Sequence, residues 1–426
     1  MKKIFIFLIL VFLCSCKFNN QNQKNDEEPS YTPDILWTLE TDAYWNEFQT
    51  QEDKYLYFQQ SKNDGTNIAK VDLSTGKYVW ESDCFPTYCS YSICVLENYI
   101  CLLDKESNLL FFDKYTGKFL TKVFFTENDT EKIFSEPTGN TLTYYKNCIY
   151  YGRRSKDGDK SYRGIMCLPV EVINFNIKEQ IVEPNFILPV QEGCFINKFL
   201  IENDILYSVT MNHNYPESGS VYCISFDLKN NKVLWKTEIE SFYGYGFNSL
   251  VMTESKIFLF DCGICALNKD NGEIVFYKNQ SWEDLQHEVH LSTNVYSTGI
   301  FQWNNKFYYT RNAYVGSNEK MGRSEKLNKN IICFDGNKYK LIWADLPPYE
   351  NGTSLRTRPV IVNEKCFVVT NTGLRVYDAN KGKLIGVWKD IYNLGYDMNA
   401  SYNNSFIFFN HDLNSGKGVL TAINVS

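Results

Sequence analysis

The chain has 426 residues, which exceeds one ordinary domain of about 150 residues and indicates either several domains or one large repetitive architecture. A hydrophobic content of 44% with 16% aromatic residues excludes a mostly disordered chain, and the 30 Tyr and 30 Phe favour β structure over an all-helical fold. With 43 basic and 50 acidic residues the net charge is −7, which gives no electrostatic basis for binding nucleic acid.

The N-terminus predicts a lipoprotein signal peptide over residues 1–15. Lys2 and Lys3 precede an uncharged stretch, residues 4–13, that is too short to span a bilayer. The sequence LCSC at 13–16 resembles the bacterial lipobox, so Cys16 is the predicted lipidation site. A plain cleaved signal peptide is the alternative.

The segment that follows predicts a tether. Residues 16–33 comprise the lipidated cysteine and a polar stretch with two prolines and no apolar periodicity. A lipid anchor of this kind holds a protein at a membrane surface without spanning it. We therefore expect a location in the bacterial cell envelope, at the outer membrane and facing the periplasm.

Residues 34–426 are predicted to form a single domain built from eight copies of one repeat. Each copy has a polar turn pair, two short apolar strands, and then Asp or Asn followed by x3-Gly-x3-aromatic in the clearest copies. The turn pairs are spaced like the blades of a four-stranded propeller and lie at 52–53, 97–98, 146–147, 203–204, 254–255, 304–305, 363–364 and 403–404.

The predicted fold is therefore all-β, an eight-bladed β-propeller of four-stranded antiparallel blades. The Asp-x3-Gly segment fits a hairpin turn before the outermost strand, because Asp accepts local backbone hydrogen bonds and Gly supplies a positive φ. Trp37 in DILWTLE looks like an outermost strand without its blade, and the last copy lacks that strand. We expect the N-terminal strand to close the ring. Seven blades is the alternative, since the third copy is irregular.

Three copies carry a family resemblance. The sequences AKVDLSTGKYVW, ISFDLKNNKVLW and ICALNKDNGEIVF resemble the repeat of the quinoprotein-type (PQQ-like) propellers and lie at 69–80, 224–235 and 264–276. With its lipobox, tether and eight blades, the chain is most similar to the BamB family of outer-membrane assembly lipoproteins. The resemblance implies a non-catalytic, membrane-anchored scaffold whose partners are envelope proteins, among them a β-barrel assembly complex. A small-molecule or polysaccharide-binding propeller is the alternative.

The sequence predicts no enzyme, no cofactor and no metal site. Quinoprotein dehydrogenases need a calcium site, an Asp base and, in many members, adjacent cysteines, and no adjacent cysteines occur here. The sequence also contains no G-x-S-x-G and no P-loop. His287 and His290 have no third metal ligand evident nearby. Cys262 and Cys265 form a C-x-x-C within a predicted strand, turn and strand, which favours core residues or a local disulfide.

Cys84 and Cys89 lie in one connection between blades and are the candidate disulfide. Disulfides form in the oxidising compartments that exported proteins reach. Most other cysteines lie in apolar runs and are predicted to be buried packing residues.

Four arginines are the candidate contacts with a partner or ligand. Arg311 and Arg323 lie in the basic insertion 311–330, which could contact an anionic partner, a solvated loop being the alternative. Arg356 and Arg358 precede the first strand of their blade, which in this repeat starts at the mouth of the central channel. We therefore expect these two at the channel rim.

Overall fold

A computed structural model gives the structure of the chain. It describes residues 28–42, 49–62, 65–85, 89–104, 108–124, 142–157, 160–182, 185–190, 194–212, 220–240, 249–260, 263–279, 283–284, 289–290, 299–311, 330–345, 358–370, 372–389, 391, 399–411 and 417–426.

Eight sheets follow one another along the chain and form an eight-bladed β-propeller. The predicted eight blades of four antiparallel strands are confirmed. The seven-bladed alternative is wrong, because the irregular third copy forms a complete blade. Among the described residues no helix is long and apolar enough to cross a membrane.

The N-terminal strand is β1 (Asp34–Thr41), and each later blade is formed by consecutive strands. Blade one contains β2 (Gln49–Glu52), β3 (Tyr55–Lys62), β4 (Gly65–Asp72) and β5 (Lys77–Glu81), and blade two contains β6 (Cys89–Val95), β7 (Tyr99–Asp104), β8 (Leu109–Asp113) and β9 (Phe119–Phe124). Blade three contains β10 (Leu142–Tyr145), β11 (Cys148–Asp157), β12 (Lys160–Pro169) and, after the inserted β13 (Glu179–Ile181), β14 (Asn185–Val190). Blade four contains β15 (Cys194–Glu202), β16 (Ile205–Asn212), β17 (Ser220–Asp227) and β18 (Lys232–Glu240).

The last four blades complete the ring. Blade five contains β19 (Ser249–Met252), β20 (Lys256–Phe260), β21 (Gly263–Asn268) and β22 (Ile274–Asn279), and a short ladder of β23 (Glu283–Asp284) with β24 (Val289–His290) follows it. Blade six contains β25 (Phe301–Trp303), β26 (Lys306–Arg311), β27 (Asn330–Asp335) and β28 (Lys340–Asp345), and blade seven contains β29 (Val360–Val362), β30 (Lys365–Thr370), β31 (Gly373–Asp378) and β32 (Leu384–Trp388). Blade eight contains β33 (Asn399–Tyr402), β34 (Ser405–His411) and β35 (Gly418–Asn424).

The two ends of the chain join in blade eight. β1 pairs antiparallel with β35 from Asp34 opposite Asn424 to Thr41 opposite Gly418. Trp37 and Leu39 of β1 pack against an apolar cluster shared by blades eight and one. The predicted closure of the ring by the N-terminal strand is confirmed, and the closure removes the open edge that β35 would otherwise present.

The connections differ sharply between the two faces of the ring. First and second strands, and third and fourth strands, join at one end of each sheet, which we call the turn face. Apart from an insertion in blade three, these connections have two to five residues. Second and third strands, and successive blades, connect at the opposite end, the loop face. The longest hairpin connection there joins β26 to β27 and spans residues 312–329.

The predicted turn chemistry is present on the turn face. Asp113 Oδ1 accepts hydrogen bonds from the backbone N–H groups of Tyr115 at 3.0 Å and Thr116 at 2.7 Å. Asp227 repeats the arrangement, and hydrogen bonds, chiefly from Asn230, hold the pKa of its carboxyl below its usual range. Such local acceptors satisfy backbone donors that the tight turn leaves free.

Tryptophans on outermost strands dock under the turn of the next blade. The indole Nε1 of Trp235 in blade four donates to the Lys269 carbonyl at 3.1 Å, and a Cβ at Gly272 would lie 2.5 Å from Trp235 Cε3. Gly272 has φ +73°, so glycine meets both the backbone and the space requirement. The same docking joins Trp37, Trp80 and Trp343 to the turns that contain Gly76, Gly117 and Gly382.

Where the turn of a blade lacks the glycine, the outermost strand of the preceding blade lacks the docking tryptophan. In blade six the turn residue is Tyr339, whose ring stacks on Phe276 of blade five with centroids 4.8 Å apart. In blade four it is the exposed Asn231, with φ +52°, and β14 of blade three has no tryptophan. The apparent irregularities of the repeat are therefore matched between neighbouring blades.

The insertion of blade three packs against the outermost strand of blade two, which has no docking tryptophan. Blade two carries Thr121, not tryptophan, at the docking position of β9. A single 3-10 turn, Val170–Val172, leads into the insertion, and β13 then pairs in parallel with β9. Gln180 donates to Thr121 Oγ1 at 2.9 Å, and Phe175 stacks on Tyr99 with centroids 3.9 Å apart.

Replacing Phe175 with alanine should therefore loosen the insertion. We expect a loss of about 2 kcal/mol in the free energy of unfolding, since a half-buried aromatic contact is removed. Faster proteolytic cleavage within residues 170–184 should accompany the loss. Ile177→Ala is the control, because Ile177 is 46% exposed. Equal effects of the two substitutions would contradict the proposed packing role.

Residues 28–33, which belong to the predicted tether, lie along the outermost strand of blade seven. The Tyr31 N–H donates to the Val387 carbonyl at 2.9 Å, and the Val387 N–H donates to the Pro29 carbonyl at 2.8 Å. Glu28 forms an ion pair of 2.7 Å with Arg375, whose side chain is 5% exposed. A buried guanidinium thus depends on a carboxylate from the N-terminal segment.

Candidate functional site

The first strands of the blades form the inner ring of the propeller. β2 contacts β6, β6 contacts β10, β10 contacts β15 and β15 contacts β19, while β25 contacts β29 and β29 contacts β33. Each first strand begins at the loop face. Residues at or just before these strand starts therefore border the mouth of the central channel that a propeller encloses. Polar groups at this mouth constitute the candidate site.

Lys198 is a cation on the inner strand of blade four. The strand has a β-bulge between Ile196 and Lys198, which locally reorients its side chains. Lys198 is half-buried, and desolvation by the surrounding protein, followed by the positive charge of Arg358, lowers its pKa to about 8. Among the described residues no carboxylate forms an ion pair with it.

Arg358 lies immediately before the inner strand of blade seven and reaches both neighbouring blades. Its Nη2 donates to the Asn399 carbonyl of blade eight at 3.4 Å, and Asn399 Nδ2 donates back to the Arg358 carbonyl at 2.9 Å. On the other side its Cδ would lie 3.5 Å from a Cβ at Gly299, which precedes the first strand of blade six. Arg358 is therefore braced between blades six and eight.

Asn399 contributes a polar atom that is left without a partner. Its side chain is 1% exposed, and its Oδ1 receives no hydrogen bond within the described part of the chain. Its carbonyl accepts a hydrogen bond from Gln49 Nε2 of blade one at 3.1 Å. A buried acceptor without a donor is uncommon in folded proteins, because its desolvation is not compensated by a hydrogen bond.

The remaining predicted contact residues are not all placed. Arg356 and Arg323 lie outside the described residues, and only the backbone of Arg311 is described, as the last residue of β26. Arg358 is the one predicted contact that the described structure locates, at the inner ring. All four remain predictions as binding residues.

Several other predicted positions also lie wholly or partly outside the described residues. Cys16, Cys262 and His287 are outside them, while Cys89 and His290 are described in their backbones alone. Cys84 is half-buried. The disulfide between Cys84 and Cys89 and the lipidation of Cys16 remain predictions.

The described cysteines within strands lie mostly in the core, as expected from their apolar surroundings. The buried ones are Cys94, Cys101, Cys167, Cys223, Cys265, Cys333 and Cys366. Burial raises the pKa of the Cys265 thiol to about 12, so that it stays protonated and unreactive at neutral pH. Packing accounts for these residues.

The described polar groups at the channel mouth, Lys198, Arg358 and Asn399, do not fit a calcium-bound quinone of the kind that PQQ-like enzymes use. Calcium requires several oxygen ligands, largely carboxylates. In the described part of the chain, no group of three or more His, Cys, Asp or Glu residues could hold a metal ion. Lys198 and Arg358 would moreover repel a divalent cation.

Lys198 should destabilise the fold at neutral pH. Its pKa, lowered to about 8, means that the folded protein binds the proton less strongly than the unfolded chain does. Lys198→Met should therefore raise the free energy of unfolding at pH 7 by on the order of 1–2 kcal/mol, after allowance for partial solvent screening. The advantage should shrink between pH 8 and the ordinary lysine pKa of 10.5.

Denaturant unfolding at pH 7 and at pH 10 measures this difference. Lys338→Met, on the exposed turn of blade six, is the control and should change stability little at either pH. A Lys198→Met variant that is less stable than the parent at pH 7 would contradict the prediction.

Comparison with known proteins supports the fold. No family model matches the sequence, and no curated protein matches it. The structure of a europium-containing methanol dehydrogenase is 10% identical, with a TM-score of 0.62, over 93% of this chain and 95% of the enzyme. Quinohemoprotein alcohol dehydrogenase from Comamonas testosteroni is 13% identical, with a TM-score of 0.60, over 92% of this chain and 76% of the enzyme.

A third similar structure is not named as a dehydrogenase. BamB from Moraxella catarrhalis is 9% identical, with a TM-score of 0.56, over 92% of this chain and 98% of BamB. The fold of the chain thus resembles the folds of these quinoprotein-type dehydrogenases and of BamB, and the predicted resemblance is confirmed at the level of the fold. Since structures of this fold include dehydrogenases as well as BamB, the fold does not by itself decide whether a member is catalytic.

Proposed function

We propose that the protein is a non-catalytic β-propeller scaffold for protein–protein interaction in the bacterial cell envelope. Its partners would be envelope proteins, among them a β-barrel assembly complex. A lipid on Cys16 would hold it at the outer membrane, facing the periplasm. The similarity of its fold to that of BamB supports this assignment by analogy.

The asymmetry of the two faces is the observation that carries the proposal. Apart from the insertion in blade three, the turn face has short connections, whereas the loop face bears every connection between blades and the 18 residues between β26 and β27. A rigid ring with most of its longer connections on one side is an arrangement suited to recognising a partner. The basic residues predicted in 311–330 would meet an acidic surface of that partner.

Affinity purification of the full-length lipidated protein from its native membrane tests the proposal. We expect a β-barrel assembly protein to be recovered, and recovery should fall when residues 312–329 are replaced by a short Gly-Ser linker. Lys338→Ala, on the turn face, is the control and should leave recovery unchanged. Absence of any protein partner under mild detergent extraction would contradict the scaffold function.

The anchor has its own test. Replacement of Cys16 with alanine should move the protein from the membrane fraction to the soluble fraction, because the signal peptide alone leaves no stable membrane attachment. An unchanged membrane fraction after alkaline extraction would contradict lipid anchoring through Cys16.

A further inference from the structure

A cleft lies on the rim of the propeller, where the N-terminal segment, residues 28–33, diverges from the outermost strand of blade seven. The segment pairs in parallel with β32 at Ser30 and Val387. It then turns into β1 of blade eight, while β32 ends at Trp388. The two diverging chains border a cavity of about 470 Å³, a volume within the range of small-molecule sites.

Both walls of the cleft are held in place by the fold. Glu28 is fixed by its ion pair of 2.7 Å with Arg375, whose side chain is 5% exposed. Gly386 occupies the position in β32 at which β5 of blade one carries the docking Trp80. A Cβ at Gly386 would lie 2.9 Å from the Cβ of Tyr31, so glycine allows the segment to approach the strand this closely.

The lining of the cleft combines aromatic rings, hydroxyl groups and charged groups. The residues that carry these groups are Glu28, Ser30, Tyr31 and Thr32 on the segment and Trp388 and Lys389 on the blade. Both aromatic side chains are half-buried, whereas the two hydroxyl side chains and the lysine are exposed. The cleft therefore offers flat apolar surfaces beside several hydrogen-bond donors and acceptors.

This lining favours an uncharged, hydroxyl-rich ligand. The charge of Glu28 is compensated by Arg375, and Lys389 is exposed to water, which screens its charge. Neither an anion nor a cation is therefore strongly attracted. A purely apolar ligand would bury the polar groups without hydrogen bonds, which is costly. A sugar ring has both an apolar C–H face and hydroxyl groups around its edge.

We propose that the cleft binds a short, uncharged saccharide that packs against the rings of Tyr31 and Trp388. Its hydroxyl groups hydrogen-bond to Glu28, Thr32 and Lys389. Because one wall is the N-terminal segment, the bound saccharide also holds this segment on blade seven. The site requires neither a lipid on Cys16 nor a protein partner, so that it and the scaffold function can fail independently.

Titration calorimetry on the full mature protein, kept in a detergent without a sugar headgroup, tests the site. The uncharged probes are maltose, lactose and N,N′-diacetylchitobiose, and their charged counterparts are maltobionate, lactobionate and chitobiose. We expect at least one uncharged disaccharide to bind at least tenfold more tightly than its charged counterpart. Absence of disaccharide binding at millimolar concentration, or equal binding of the charged and uncharged forms, overturns the proposal.

Matched variants locate the binding. Trp388→Leu keeps an apolar side chain without the ring and should weaken binding of the disaccharide at least tenfold. Thr32→Val and Lys389→Met each remove one hydrogen-bonding group and should weaken it severalfold. Lys383→Met is the control, because Lys383 is an exposed lysine at the other end of β32, outside the cleft, and its replacement should leave binding unchanged.

The role of the N-terminal segment as a wall has a separate readout. In the parent protein the bound disaccharide should slow chymotryptic cleavage after Tyr31, because cleavage requires the segment to leave blade seven. Arg375→Met removes the partner of Glu28, and should both speed this cleavage and weaken binding at least tenfold, while circular dichroism reports an intact β fold. Binding that survives both Arg375→Met and Trp388→Leu overturns the proposal.

Discussion

Gly272→Ala is expected to destabilise the propeller by about 3 kcal/mol. The alanine Cβ would lie 2.5 Å from Cε3 of Trp235 and 2.7 Å from Thr237 Oγ1, and the backbone there has φ +73°. Two costs therefore add: the left-handed backbone conformation and the displacement of an indole that also donates to the Lys269 carbonyl. Denaturant unfolding followed by tryptophan fluorescence would measure both the stability and the environment of Trp235.

Asn231→Ala provides the matched control. Asn231 occupies the equivalent turn position in blade four with φ +52°, but it is exposed, and the described outermost strand of blade three contributes no tryptophan to dock beneath it. Only the cost of the left-handed backbone conformation remains, so we expect the free energy of unfolding to fall by about 1 kcal/mol. Equal losses at Gly272 and Asn231 would show that the docked indole does not dictate glycine at this turn.

Removal of residues 1–41 is expected to destabilise the ring by about 5 kcal/mol or more and to cause self-association. The truncated chain loses the whole β1–β35 ladder and the docking of Trp37 under the Gly76 turn. β35 then becomes an open edge strand beside an apolar cluster that contains Leu420 and Ala422. Thermal unfolding and size-exclusion chromatography would detect the two consequences.

A chain that begins at residue 28 is the control and should behave as a stable monomer. A synthetic peptide of residues 34–41 added to the truncated chain should restore part of its melting temperature, and the same peptide with Trp37 replaced by alanine should restore less. A truncated chain that melts with the same midpoint as the control would contradict the role of β1 in closing the ring.

The architecture was predictable because its evidence is local and repeated. Each polar turn pair and each Asp-x3-Gly segment can be recognised within about a dozen residues, and the seven blade-sized spacings between the eight turn pairs leave little freedom for another fold. Trp37 was informative for the same reason, since an outermost strand without its blade requires a partner elsewhere. The irregular third copy was harder, because β13 pairs with β9 of the preceding blade, about 55 residues away.

The candidate site was only partly predictable. The position of Arg358 followed from the topology, because the start of a first strand borders the channel in this architecture. Lys198 was missed, since one lysine in the apolar strand CFINKFLIE resembles an ordinary half-exposed residue. The available signal was that Lys198 is the only basic residue in this otherwise largely apolar strand. The effect of Arg358, 160 positions later, on the pKa of Lys198 depends on the closure of the ring, which no short sequence pattern encodes.

The N-terminal segment along blade seven fixes the point on the ring to which an N-terminal membrane anchor would be joined. With a lipid on Cys16, eleven residues, 17–27, would separate the anchor from Glu28, which is paired with Arg375. At about 3.5 Å per residue, a linker of this length spans at most about 40 Å. It leaves from the rim, beside an outermost strand, and not from either flat side. An anchor attached at this edge would leave both the turn face and the loop face uncovered, so that two different molecules could bind them at the same time.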